Sequence, residues 1–435
     1  MGHEQLAGLQ RRLNLKELAA RLAGHGSLRS GALLLLANAL VTALALVRTP
    51  AMAWILPREE LGMFGVVASW LPFLQLLSLS GLDGAVYHYI AKGQPWAFVE
   101  GLFVRLRWSL LAAAAFLILG FYWFRAGAAP LGWMFVIAGL SYPFTYGMTA
   151  SAGMLSAREN FKGLFWYRLG ESLTDFAGFI PLALSAWWIS RAATFFAANQ
   201  LATGLMQVGV SAALALGLRR MGAPRQSAEE RREMLQYGRH LTALTGISVL
   251  QVRTDAFLVG LLLPLETMAD YTIALLVYEQ VKRLWGIYVS VRYPPWVRLP
   301  VPARRRRMLR EGWLVCAGFA GLGLLIAAAG HLLIPRLLPP EYAGSLRYMD
   351  ILIATVVAGL PGALAEQYFR TRQDQARQYR MRIAAAAAGV AAPALLILPL
   401  GATGAAAGRF LASLALSAVG LWLFFREPQE SEAAV

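Results

Sequence analysis

Runs of twenty or more apolar residues recur along almost the whole chain, from residue 30 to residue 425. Each is long enough to cross a hydrocarbon layer about 30 Å thick as a helix. Inside such a layer backbone groups have no water partners, so the spanning element must satisfy its own hydrogen bonds, which a helix does. Twelve segments qualify, at 30–56, 61–91, 101–124, 131–156, 163–190, 192–218, 234–263, 267–296, 311–338, 346–370, 379–400 and 403–426. The composition agrees: 58% of residues are hydrophobic and only 15% charged, a balance that a water-soluble core does not absorb. The first segment is not read as a cleavable signal, because it ends in Arg48-Thr49-Pro50 with no small-residue cleavage site. The expected fold class is an all-α integral membrane protein of about twelve transmembrane helices.

Charge then orients the helices, since short cytoplasmic loops retain Lys and Arg while translocated loops do not. With the N-terminus inside, 32 of the 40 basic residues fall on the cytoplasmic side, against five (Arg58, Arg125, Arg191, Arg336 and Arg347) on the other. The remaining three, Arg48, Arg253 and Arg409, lie within spans. The tract Arg304-Arg305-Arg306-Arg307 reads as a headgroup-contacting anchor. Nucleic-acid binding is a poor alternative, because basic residues are spread over every inner loop and no soluble domain carries them. The expected organisation is an amphipathic cytoplasmic arm over 1–29, an N-lobe of six spans over 30–218, a cytoplasmic linker over 219–233, a C-lobe of six spans over 234–426, and a tail over 427–435.

The two halves carry an internal repeat. Val47-Arg48-Thr49-Pro50-Ala51 matches Val252-Arg253-Thr254-Asp255-Ala256 at an offset of 205 residues, and after two extra residues Leu56-Pro57, Glu59 and Phe64 match Leu263-Pro264, Glu266 and Tyr271 at 207. Six spans separate the copies, so both enter the membrane in the same sense. That predicts parallel halves related by an axis along the membrane normal.

The sequence lacks the parts of several other classes. None of the four lysines follows a glycine, which excludes a Walker loop, and neither G-x-S-x-G nor H-E-x-x-H occurs. One cysteine, Cys316, and five scattered histidines predict neither a disulfide framework nor a metal centre. The outer loops are about ten residues at most, too short for a membrane-embedded glycosyltransferase. The chain reads as a transporter and not an enzyme, with no catalytic residues and no cofactor beyond a coupling Na⁺ or H⁺.

Ionised groups at membrane depth cost roughly 2.5–3.5 kcal/mol each on insertion scales, so each must face a cavity or a partner. Arg48 and Arg253 stand at equivalent points of the repeat. Two guanidiniums on opposite walls of one cleft suit a ligand with several anionic oxygens, because the planar fork binds phosphate bidentately and stays protonated. Local neutralisation, of Arg253 by Asp255 or by a neighbouring helix, is the competing role. Arg409 joins them as a third candidate binding residue, with packing as its competing role. Asp83, Asp255, Glu171, Asp175 and Glu366 are candidate cavity acids or ion-coupling groups. Among them Asp83 sits at a potential helix bend, Glu171 and Asp175 share one helix face within reach of Arg168, and Glu366 lies one turn before Arg370.

The stretch Ile55-Leu56-Pro57-Arg58-Glu59-Glu60-Leu61-Gly62-Met63-Phe64-Gly65, followed by Ser80-Gly81-Leu82-Asp83-Gly84-Ala85-Val86 and Tyr89-Ile90-Ala91-Lys92-Gly93, resembles the opening of Wzx-type polysaccharide repeat-unit flippases. Arg253-Thr254-Asp255-Ala256-Phe257-Leu258-Val259-Gly260, Leu338-Pro339-Pro340-Glu341-Tyr342-Ala343 and Gly401-Ala402-Thr403-Gly404-Ala405-Ala406 continue the likeness. Those flippases belong to the multidrug/oligosaccharidyl-lipid/polysaccharide exporter (MOP) superfamily. The resemblance implies two six-helix lobes that alternate between inward- and outward-open. It implies as substrate an undecaprenyl-diphosphate-linked oligosaccharide, moved from the cytoplasmic to the outer face of a bacterial inner membrane for O-antigen (lipopolysaccharide) or exopolysaccharide synthesis. A polysaccharide polymerase and a chain-length regulator are the implied partners, and Arg48 and Arg253 would meet the diphosphate. Lipid II flippases of the superfamily usually carry two further helices, and this departure argues against a peptidoglycan precursor. A cation-coupled multidrug exporter of the same architecture is the alternative reading.

Overall fold

The computed structural model describes residues 26–186, 189–222, 227–297, 299–372 and 374–426. The expected arm, up to residue 25, and the tail over 427–435 lie outside these residues. All regular structure among the described residues is helical. The helices are α1 (Gly26–Ile55), α2 (Arg58–Leu77), α3 (Leu82–Ala91), α4 (Ala97–Arg125), α5 (Ala129–Thr145), α6 (Ala150–Ala157), α7 (Phe161–Thr174), α8 (Phe179–Ala183), α9 (Arg191–Arg220), α10 (Ala228–Leu262), α11 (Leu265–Val297), α12 (Val301–Leu337), α13 (Ser345–Thr371) and α14 (Gln375–Phe425).

Eight of these helices are long and apolar enough to cross a membrane by length and composition alone. All twelve expected spans are nevertheless covered. α14 turns at Gly401, whose φ of 58° and ψ of −142° divide it into two segments matching the expected eleventh and twelfth spans. α2 continues as α3, while α5–α6, α7–α8 and α11 supply the other three. The second, fourth and fifth spans are broken at 78–81, 146–149 and 175–178, the first of these just before Asp83, where a bend is expected. At the first break Leu79 adopts a left-handed φ of 54°, which a non-glycine residue holds only where its surroundings fix it. Gly81 follows because a Cβ there would run into the backbone of Leu241 and Thr242 on α10, and its N–H donates to Thr242 Oγ1 at 3.1 Å.

Local chemistry sets several ends. Ser227 and Glu230 form a reciprocal capping box that starts α10 at Ala228, so the linker expected over 219–233 is helical in its last third. Asn160, Ser190 and Asp374 cap α7, α9 and α14 one way only, each side chain accepting from the backbone N–H three residues on.

α2 joins the halves. It packs along α10 and α11, and α3 extends the contact along α10. One hydrophobic core runs through both halves, containing Phe116, Phe135 and Phe195 from the first and Val259, Tyr271 and Leu352 from the second. Gly62 on α2 leaves no room for a side chain against the Leu265 carbonyl of α11, and a Cβ on Gly65 would strike Thr272 Oγ1. Residues 65 and 272 are equivalent at the repeat offset of 207. Equivalent residues touch only near a symmetry axis, so this contact places the pseudo-twofold axis between α2 and α11.

Candidate functional site

The basic side of the molecule is the side that holds the Lys- and Arg-rich loops; the turns α1–α2 and α10–α11 lie on the far side. On the far side the halves are locked. Arg58 Nη2 donates to Asp270 Oδ2 at 2.6 Å, with the Asp270 side chain only 5% exposed and Arg58 29%. The Arg58 guanidinium also lies over the Tyr342 ring, 6.0 Å from its centre. Burial pushes the Tyr342 phenol up to about 12, so it stays neutral beneath the cation. Trp54 Nε1 donates to the Leu337 carbonyl of the other half at 2.7 Å, while within the N-terminal half Glu60 accepts from the Ala192 N–H at 2.6 Å. Neither Arg58 nor Asp270 stood out in the sequence, since a charge at a span end is the ordinary case. Only the repeat offered a signal, as it brings the α2 and α11 starts into equivalence.

Deeper in, each repeat arginine pairs within its own half. Arg48 Nη1 meets Asp175 Oδ2 at 2.6 Å, and Arg253 Nη2 meets Glu279 Oε1 at 3.0 Å. Arg253 is therefore answered by a neighbouring helix and not by Asp255. Arg168, one of two possible answers to the acids of α7, donates to Asn38 at 2.9 Å. These pairs are not enclosed: the side chains are 29% and 47% exposed in the first and 35% and 30% in the second. A half-exposed ion pair surrounded by hydrocarbon is strongly disfavoured, so both pairs require a hydrated space.

Each pair has one member on a helix that flanks the seam between α1 and α11, Arg48 on the first and Glu279 on the second. Arg283 Nη1 donates to Thr42 Oγ1 across that seam at 3.1 Å, fixing the register. Counting toward the far side at 1.5 Å per residue, Arg48 lies about 9 Å beyond Thr42, and Glu279 about 6 Å beyond Arg283. The close neighbours of α1 are α7 and α2, both in its own half. Glu171, one turn before Asp175, accepts from Gln207 at 3.5 Å. Glu279 completes the second pair and was legible only as one more intramembrane charge.

The other candidate residues fall elsewhere. Asp83 lies just past the α2–α3 break, paired with Arg105 of α4 and accepting from Thr149 at 3.1 Å. It ties two broken spans to the continuous α4, and Arg105, expected at an inner loop, is buried. Glu366 is held by Arg382 through Nη2 at 2.6 Å and Nε at 2.9 Å, which corrects the expected pairing with Arg370. Arg409 and Asp255 need a larger correction as candidate binding and cavity groups. Arg409 Nε meets Asp255 Oδ2 at 3.2 Å with side chains 3% and 2% exposed, Tyr271 donates to the same carboxylate, and the guanidinium lies 4.6 Å from the Tyr278 ring centre. The group is enclosed among α10, α11 and α14, where it cross-links the second half.

Each half thus contributes a partly exposed arginine–carboxylate pair with one member on a helix flanking the loosely packed α1–α11 seam, and Arg58 with Asp270 closes the far side. The family described as "Polysaccharide biosynthesis protein" matches residues 27–299, well over half of the chain. The chain belongs to that family. No curated protein matches it in sequence. Among solved structures it is similar to "Lipid II flippase MurJ, inward closed conformation", with a TM-score of 0.66 and 12% identity over 90% of this chain and 87% of that one. It is also similar to the "Inward-facing conformation of a multidrug resistance MATE family transporter of the MOP superfamily", with a TM-score of 0.64 and 14% identity over 88% of this chain and 94% of that one. The outward-facing form of a MATE family transporter gives a TM-score of 0.55 at 13% identity, covering 91% and 94%. This polysaccharide biosynthesis family member therefore has the fold shared by that lipid II flippase and the MATE family transporters of the MOP superfamily.

Proposed function

We propose that the protein flips an undecaprenyl-diphosphate-linked oligosaccharide from the cytoplasmic to the outer leaflet of a bacterial inner membrane, supplying repeat units for O-antigen or exopolysaccharide. The observation that carries this reading is the pair of partly exposed arginines at equivalent repeat positions, one in each half. The diphosphate exchanges with Asp175 and Glu279 for the two guanidiniums, the saccharide occupies the hydrated space, and the isoprenoid tail stays in lipid. The released carboxylates, with Glu171, are the groups placed to take up H⁺ or Na⁺. This links substrate binding to an ion gradient, which supplies about 2.3 kcal/mol per charge across 100 mV. The N- and C-termini lie in the cytoplasm, and a polymerase with its chain-length regulator consumes the product.

The test is translocation of a fluorescent isoprenoid-diphosphate saccharide in proteoliposomes. A charge-assisted contact is worth about 1.5–3 kcal/mol, so Arg48→Ala and Arg253→Ala should each slow flipping at least about ten-fold. Asp175→Asn and Glu279→Gln should instead alter the dependence on pH or Na⁺. Wild-type rates in both arginine variants would remove these residues from the substrate path. Transport of cationic dyes in place of the saccharide would assign the chain to drug export.

A further inference from the structure

Away from the seam, the basic side of the C-terminal half carries an apolar groove of about 320 Å³ between α12, α13 and the end of α14. Leu309, Trp313 and Cys316 line one wall, at positions that share a face of α12, and Leu364, Leu421 and Phe424 line the others. Gly312 keeps it open, because a Cβ there would reach within 3.2 Å of Leu364. Trp313 is 78% exposed and Phe425 61%, so the groove opens toward the lipid.

Its rim is cationic. Arg305 donates to the Phe424 carbonyl at 3.0 Å and sets its guanidinium 5.1 Å from the Phe424 ring centre. Exposed Arg306 and Arg310 stand one turn apart on α12, seven and three residues before Trp313. Arg426 covers the Trp422 ring at 4.5 Å. These arginines sit at the membrane boundary while the groove descends into the acyl layer, the arrangement that matches a phosphate above a hydrocarbon chain.

We propose that this groove is a binding site for an anionic phospholipid, one acyl chain lying between Trp313 and Phe424 and the phosphate resting on Arg305 and Arg310. The site is separate from the transport path. α12 packs on α13 and α11, whereas the N-terminal half packs on α10 and α11, so the groove faces bulk lipid on the outside of the C-terminal half.

Cys316, the only cysteine in the chain, lies inside the groove and reports on its occupancy. The experiment compares the full-length protein in nanodiscs of phosphatidylcholine alone and with 30% phosphatidylglycerol added. The rate of Cys316 alkylation by a membrane-permeant maleimide and the lipid retained in native mass spectra are the readouts. Phosphatidylglycerol should slow alkylation at least about three-fold in the wild type and leave one such lipid per chain. In an Arg305→Gln/Arg310→Gln variant, measured in the same discs so that surface potential is matched, the slowing and the retained lipid should both vanish. Equal protection in wild type and variant would overturn the proposal. So would protection by a polyprenyl phosphate but not by phosphatidylglycerol, which would assign the groove to the substrate tail, or protection that tracks a dimer in the mass spectrum. Gly312→Leu, which narrows the groove and keeps every arginine, should also lose the bound lipid; retention there would place the lipid elsewhere.

Discussion

Replacing Arg409 with Met should lower stability by about 3–5 kcal/mol, the typical effect of stripping one partner from an enclosed ion pair. The reason is the company the removed charge leaves behind. Asp255 is 2% exposed and accepts from Tyr271, and without the guanidinium its carboxylate remains in a site with no water to solvate it. The same change removes a cation from the face of Tyr278 and a link from α14 to α10 and α11. The measurement is the midpoint of thermal unfolding in detergent, followed by the tryptophan signal and by aggregation, because a chain of this size need not unfold in one step. Asp255→Asn/Arg409→Met should recover most of the loss, since burying a neutral pair avoids the desolvation of two ions. A double variant that is stable and flips at the wild-type rate places Arg409 in the scaffold. One that is stable but inactive returns it to the substrate path.

The case of Arg409 shows where sequence reading stops. Its position at membrane depth was visible, and so was the need for a partner, because hydropathy and the expense of an intramembrane charge are local properties. Its partner was not. Asp255 and Arg409 are 154 residues apart, and nothing in the spacing distinguishes this pairing from one between Asp255 and Arg253 two residues away. Glu366 repeats the lesson: Arg370 lies one turn along the same helix, yet the loop to α14 brings in Arg382, two of whose nitrogens donate to one Glu366 oxygen. The twelve spans and the repeat were legible, since periodic apolar content and the turn at Leu-Pro recur in the chain itself. Most of the breaks in the second, fourth and fifth spans were not, because broken and continuous apolar helices share the same composition. Asp83 marked one of them, but only the fold shows that its carboxylate gathers Arg105 and Thr149 around the break.

Arg58→Ala should open the far side. Arg58 to Asp270 is the ion pair that joins the two halves there, and it stands where Gly62 and Leu265 bring α2 and α11 into backbone contact. Removing the arginine leaves the Asp270 carboxylate nearly enclosed and uncompensated in the closed state alone; opening hydrates it. Because Arg58 is itself partly exposed, the penalty falls below that of a fully buried pair, at about 2–3 kcal/mol. That shifts the closed-to-open ratio roughly 30- to 150-fold. Spin labels at Ala126→Cys and Ala343→Cys, both exposed loop positions on the far side, in a Cys316→Ala background, read the separation of the halves by pulsed EPR. The variant should add a longer-distance population that the parent lacks. Arg58→Met/Asp270→Leu should restore the short distance, since the apolar pair suits the closed contact and carries no buried charge. Flipping should slow in both, from opposite causes: the first variant rests open and the second rests closed. Unchanged distances in Arg58→Ala would mean that the glycine contacts alone hold this side shut, and Gly65→Leu, which forces a side chain against Thr272, would then be the substitution that opens it.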